Sequence, residues 1–183
     1  MLLYHGSKYS DIDEFVIQNR GLRNLDFGKG VYFTSHFEQA QQWACKDGTP
    51  GIVYECDVDL SKLTTLPLVN SDDEDVYYVL YLCRIGLEEI ASDAVDGFDD
   101  ADVIYGYMLD GRTKKFEKYA ELFNKGELTF ADFREKTKLF GVDKDQYCFK
   151  TESAIKILND GFQKIHLVEK QGENYIVTET FDW

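Results

Sequence analysis

The sequence predicts an α+β fold. Three observations predict it. Short apolar or alternating runs recur along the chain, bounded by glycine or polar turns. Longer stretches with apolar residues at helical spacing lie between them, several opened by a Ser or Thr cap. The strand runs mostly lack the alternation with helices that a parallel sheet requires, so helices are grouped between strands joined by non-parallel connections.

The elements follow in order. Leu2 to His5 reads as the first strand. Gly30 to Phe33 reads as the second, entered through a glycine-rich turn. Ser35-His36-Phe37-Glu38 has the form of a capping box, with Ser35 at the N-cap. The helix it opens runs from about His36 to Lys46, with Phe37, Ala40 and Ala44 on one face, and is stopped by Gly48 and Pro50. Ile52 to Val58 alternates at its polar end and reads as a strand, and Leu63 to Leu68 as another. A second capping box at Ser71 and Glu74 opens a helix through Val76, Val79, Leu80 and Cys83. Ala101 to Tyr107 is a strand, and Thr113 to Asn124 and Thr129 to Phe140 are helices split by Gly126. Gln146 to Phe149 is a short strand, and Thr151 caps a helix that turns Ala154, Ile155 and Leu158 inward. Gln163 to Glu169 and Asn174 to Thr180 alternate around Gly172 as a hairpin. The acidic stretch from Asp93 to Asp102 lacks the ligand spacing of a calcium loop and reads as a solvated loop.

The length of 183 residues predicts one domain over 1–183, and no low-complexity linker or internal repeat divides it. No run of about 20 apolar residues occurs, so no membrane span is expected. The N-terminus lacks the basic and apolar regions of a secretory signal. Cys45, Cys56, Cys83 and Cys148 show no close pairing, which suggests buried thiols in a reducing, cytoplasmic setting. The net charge of −14 disfavours nucleic acid as a partner, and a protein or small molecule fits better. A basic partner of toxin or antitoxin type is compatible with that charge. Lys8, Arg20, Arg23 and Lys29 read as scattered solvated side chains, with a local basic patch as the alternative.

Several chemistries are set aside. Gly28-Lys29-Gly30 lacks the spacing of a P-loop and of a Gly-x-Gly-x-x-Gly dinucleotide turn. Asp26-Phe27-Gly28 has no kinase catalytic loop beside it, and no Gly-x-Ser-x-Gly elbow occurs. His5, His36 and His166 stand at no helical metal-ligand spacing and have no cysteine pair beside them.

Two stretches carry the remaining signal: Tyr4-His5-Gly6-Ser7, and Asp26-Phe27-Gly28-Lys29-Gly30-Val31-Tyr32-Phe33-Thr34-Ser35. Each places an imidazole or phenol on a short strand beside glycine. With Gln146 on a late strand, these motifs resemble the PARP-like, diphtheria-toxin-like class of ADP-ribosyltransferases, whose pattern runs His, Tyr, Glu. A small bacterial family related to that class is the closer likeness. The likeness covers most of the chain and is poor over residues 71–142, which reads as a family-specific, helix-rich insertion.

The resemblance implies a split β-sheet core and NAD as substrate, cleaved between nicotinamide and ribose through an oxocarbenium-like transition state. It implies that His5 orients the dinucleotide, since imidazole can donate on one nitrogen and accept on the other. Gly6 would bring its backbone to the nicotinamide amide, with Ser7 adding a hydroxyl. Tyr32, entered through Gly30, would stack on the nicotinamide, and Trp43 would face it from the other side. Gln146 would stand at the third catalytic position. Each residue also has a plain structural reading: a core histidine, a strand aromatic, a helix-face tryptophan, a surface glutamine. Their occurrence together and in order favours the site.

Two departures from the class stand out. Gln146 replaces a glutamate and so brings no negative charge; Asp145, Glu152 and Asp110 are the candidate compensating carboxylates. Ala40 stands where many members of the class have a serine that bonds the nicotinamide amide, a contact Thr34 or Ser35 could replace. The implied activity is mono-ADP-ribosyl transfer with release of nicotinamide. The alternatives are an inactive module of the same fold that binds NAD or ADP-ribose, and an interaction protein without a nucleotide site. The RNA 2′-phosphotransferases, which share the broad fold, are disfavoured by the scarcity of basic residues.

Overall fold

The computed structural model of the chain describes residues 1–8, 12–17, 25–70, 72–109, 113–137 and 143–183. It is an α+β arrangement with two four-stranded sheets. The first sheet takes β1 (Leu2–Ser7), β3 (Gly51–Asp57), β7 (Phe162–Gln171) and β8 (Asn174–Asp182) in that spatial order. All its pairings are antiparallel. The second sheet runs β2 (Val31–Phe33), β6 (Asp145–Phe149), β5 (Val103–Tyr107), β4 (Thr65–Leu68). It is antiparallel except for the β4–β5 pair.

The sheets meet along a short seam. Tyr4 of β1 and Thr34, just past β2, exchange both backbone hydrogen bonds, at 2.8 and 2.9 Å. Strand alternation then sorts the β1 side chains. Leu3 enters the core between the sheets with Phe33, Tyr54 and Phe149. Tyr4 and Gly6 turn to the other face, which α1 (Phe37–Ala44) covers.

The structure changes several sequence expectations. Ser35 does not cap α1. The N-cap is His36, without a side-chain cap bond, because the Ser35 hydroxyl donates to Asp145 at 2.6 Å instead. The inward face of Ala40 and Ala44 is as expected. Ser71 lies outside the described residues, and α2 (Glu74–Arg84) is capped by Asp73, whose carboxylate accepts the Asp75 N–H. Thr129 caps α4 (Phe130–Lys136), and Thr151 caps α5 (Glu152–Asp160), both through an N3 amide. The helix expected to reach Phe140 is described only as far as Lys136. Asp93, Asp96, Asp99 and Asp100 are exposed, as a solvated loop requires, but Asp102 at the end of the acidic stretch is tied down. Asp102 accepts the Thr64 N–H at 3.0 Å and the hydroxyls of Thr151 and Ser153, and these bonds, Thr151's above all, hold its carboxyl below the usual range.

Residues 71–142 supply α2, α3 (Thr113–Asn124) and α4. They also supply β5, an interior strand of the second sheet. Phe27, Ile104 and Cys148 form an apolar layer with Val79, Leu80 and Phe116 of the helices. The four cysteines are buried and unpaired with one another. Burial pushes the Cys56 and Cys148 thiols up to about 12. Among the described residues no helix is long and apolar enough to cross a membrane.

Candidate functional site

His5 sits at the seam. Its Nδ1 lies 2.7 Å from the Tyr32 carbonyl oxygen, and a carbonyl only accepts, so Nδ1 carries the proton and Nε2 is the acceptor of the neutral ring. The imidazole is partly buried against Phe15 and Phe33, with ring centroids at 5.6 and 5.4 Å. Burial lowers its pKa, and the bond to Tyr32 offsets part of that effect. His5 is therefore a neutral, singly oriented imidazole that joins β1 to β2.

Tyr32 closes the glycine turn that precedes it. Its hydroxyl accepts the Phe27 N–H at 3.0 Å and donates to the Gly28 carbonyl at 2.8 Å. Gly28 holds a φ of 77°, which a residue with a Cβ rarely adopts. Burial, with Cys148 beside it, raises the phenol well above its usual value, so Tyr32 stays neutral.

Gln146 shares a face of the second sheet with Tyr32. Tyr32 pairs with Cys148, and Gln146 lies two residues earlier on the same strand. Its Nε2 donates to Asp26 Oδ2 at 2.7 Å and, more weakly, to the Tyr107 carbonyl at 3.5 Å. Both partners are acceptors, so the amide cannot be reversed and its Oε1 is held as the acceptor at the other end. Among the described residues nothing donates to that oxygen. Gln146 is thus a buried network member rather than a surface glutamine.

The network continues to residues that no local sequence pattern marks as a site. Asp26 is 4% exposed and takes Arg84 Nε at 2.6 Å and the Leu109 N–H at 3.2 Å. Arg84 Nη2 joins the same carboxylate, and the guanidinium lies 5.3 Å over the Phe116 ring. One signal is present in the sequence: an arginine on the apolar face of a helix needs a buried acid.

Of the candidate compensating carboxylates, Asp145 is already occupied by donors. Asp145 accepts the Thr34 hydroxyl at 2.7 Å, the Ser35 N–H at 2.9 Å and the Ser35 hydroxyl. Glu152 is exposed and opens α5, beyond the end of β6 opposite Gln146. Asp110 lies outside the described residues, as do Arg20 and Arg23. Lys8 and Lys29 pair with Asp47 and Glu88 at 3.3 and 3.6 Å, which leaves the basic patch without support among the described residues.

Gly6, Ser7 and Trp43 come together. With Lys8, Lys46 and Asp47 they line an open hollow of about 170 Å³. Trp43 is 47% exposed and is no core residue. With Lys46 it also lines a second hollow, together with Gln39, Gln42 and Met108. Lys46 Nζ lies 4.7 Å from the Trp43 ring centroid. Gly6 and Gly30 are both required by packing. A Cβ at Gly6 would come to 2.0 Å from the Ala40 carbonyl oxygen, and one at Gly30 to 2.4 Å from Cys148 Sγ. Among the described residues no three His, Cys, Asp or Glu side chains gather as a metal site requires.

The fold and site define an α+β protein whose two sheets are joined where a histidine meets a tyrosine strand, beside a hollow lined by Gly6, Ser7 and Trp43. The chain belongs to the family described as a protein of unknown function, DUF3990, whose model matches residues 1–159. No curated protein and no solved structure matches it.

Proposed function

We propose that the chain binds NAD at the seam and transfers a single ADP-ribose to an acceptor, releasing nicotinamide. The observation that carries this reading is the meeting of His5 with Tyr32 across the two sheets, next to the hollow shared by Gly6, Ser7 and Trp43. A half-exposed tryptophan edged by a lysine suits a planar ring attached to phosphates. The neutral His5 offers Nε2 as an acceptor to a ribose hydroxyl. Gln146 offers Oε1 to the nicotinamide-side ribose in the same way. These contacts orient the dinucleotide so that the glycosidic bond lies open to attack.

One observation favours a second reading, binding without turnover. The oxocarbenium-like transition state gains from a nearby negative charge. Gln146 is neutral, the Asp26 charge is matched by Arg84, and Asp145 is filled with donors.

Calorimetric titration with NAD, followed by assay of nicotinamide release, tests both. Saturable binding with release supports the transferase. Binding without release selects the binding module. Absence of binding overturns both.

A further inference from the structure

We propose that Gln39 reads the carboxamide of the ligand: its Oε1 accepts an amide N–H from a primary carboxamide seated against Trp43, so the site takes the amide and rejects the corresponding acid. This rests on the NAD reading and assigns it a specificity residue.

Gln39, on α1, is 6% exposed. Its Nε2 donates to the Asp145 carbonyl at 2.7 Å. Only the NH₂ end of an amide can face a carbonyl, so Oε1 is fixed at the other end. That oxygen is buried and has no donor among the described residues. Buried acceptors of this kind are rare, and a donor from outside the chain would complete this one. Gln39 lines the second hollow, and Trp43 lines both that one and the one holding Gly6 and Ser7.

The neighbouring residues that the resemblance points to for this contact offer less. Ala40 has no polar side-chain atom and packs its backbone against Gly6. The hydroxyls of Thr34 and Ser35 both donate to Asp145, which fixes their orientation, and Thr34 Oγ1 also accepts the His36 N–H. A carboxylate ligand has no N–H and would set its lone pairs against those of Gln39. Lys46, over Trp43, draws anions, so charge attraction alone would favour the acid over the amide. A preference for the amide therefore has to come from a hydrogen-bond acceptor.

The test titrates the wild-type chain with NAD and with nicotinic acid adenine dinucleotide, which differ only in that group, and repeats both with Gln39→Met. The wild type should bind the acid at least about tenfold more weakly than NAD, because one good hydrogen bond is lost and an acceptor is left bare. In Gln39→Met the two affinities should fall within about threefold of each other. Equal wild-type affinities, or a gap that survives in Gln39→Met, overturn the role of Gln39 and leave the NAD reading standing. Binding of neither ligand overturns the NAD reading itself. Should Gln39→Met fail to fold, Gln39→Leu takes its place in the same comparison.

Discussion

Gln146 Nε2 donates to Asp26 Oδ2 at 2.7 Å, a contact that calls for an amide and not an acid at position 146. A glutamate there would set two carboxylates against each other in a site with one arginine. Gln146→Glu should therefore lose about 2–4 kcal/mol of stability, the cost of an uncompensated buried group. The forced proximity raises the new carboxyl above its unfolded value, so the loss should deepen as pH rises. Adding Asp26→Asn should restore most of the stability, since the amide then introduced at position 26 can donate to the carboxylate introduced at position 146. Denaturant melts at two pH values check both; an undiminished Gln146→Glu would refute the coupling.

Arg84 is the cation that holds this network. Arg84→Met leaves Asp26 buried and unpaired and should cost about 3–5 kcal/mol. Asp26→Leu with Arg84→Met should cost clearly less, because both charges leave together. Chemical denaturation of the single and double variants measures the difference.

Stacking is best tested at Trp43. Its exposure means Trp43→Ala should shift stability by no more than about 0.5 kcal/mol, while NAD affinity falls about tenfold. Tyr32 offers no such separation, because its hydroxyl bridges Phe27 and Gly28. Tyr32→Phe should itself cost about 1–3 kcal/mol. Calorimetry paired with thermal melts distinguishes the two residues; unchanged NAD affinity in Trp43→Ala removes it from the pocket.

His5 gives the fold a pH dependence of known sign. Burial lowers its folded pKa below the ordinary 6.5. As pH falls through 6.5, the unfolded chain takes up this proton before the folded chain does. The penalty is absent at higher pH and grows on acidification. His5→Asn keeps a donor for Tyr32 and cannot titrate. Its melting temperature should fall less than the wild type's between about pH 7.5 and 5.5, a window around the reference imidazole value. Parallel slopes would show that His5 does not contribute.

Gly6→Ala should be among the most damaging single-methyl changes. The new Cβ would meet the Ala40 carbonyl of α1 at 2.0 Å. Either the helix lifts from the sheet or the strand shifts, at a cost of about 1–3 kcal/mol or more. Circular dichroism melts provide the measure.

Much of the fold is legible in the sequence because periodicity and caps are local signals. Thr129, Thr151 and the inward face of α5 come directly from such patterns. Ser35 misleads because its hydroxyl finds Asp145, distant in sequence, in place of the helix end beside it. Asp26 stands in the sequence only as part of a triplet with no kinase context. Its partners lie on α2, β6 and the segment after β5, and no local pattern announces a bond of that separation. Gln39 shows the same limit: an amide on a helix looks solvent-facing until the fold buries it.

The exchange of backbone bonds between Tyr4 and Thr34 gives this protein a built-in reporter. Both amide protons are shielded only while the halves stay together. Their deuterium uptake clocks the parting of the halves, residue by residue, with no substrate, label or assumed chemistry. Any molecule that grips both sides of that join should slow these two clocks together.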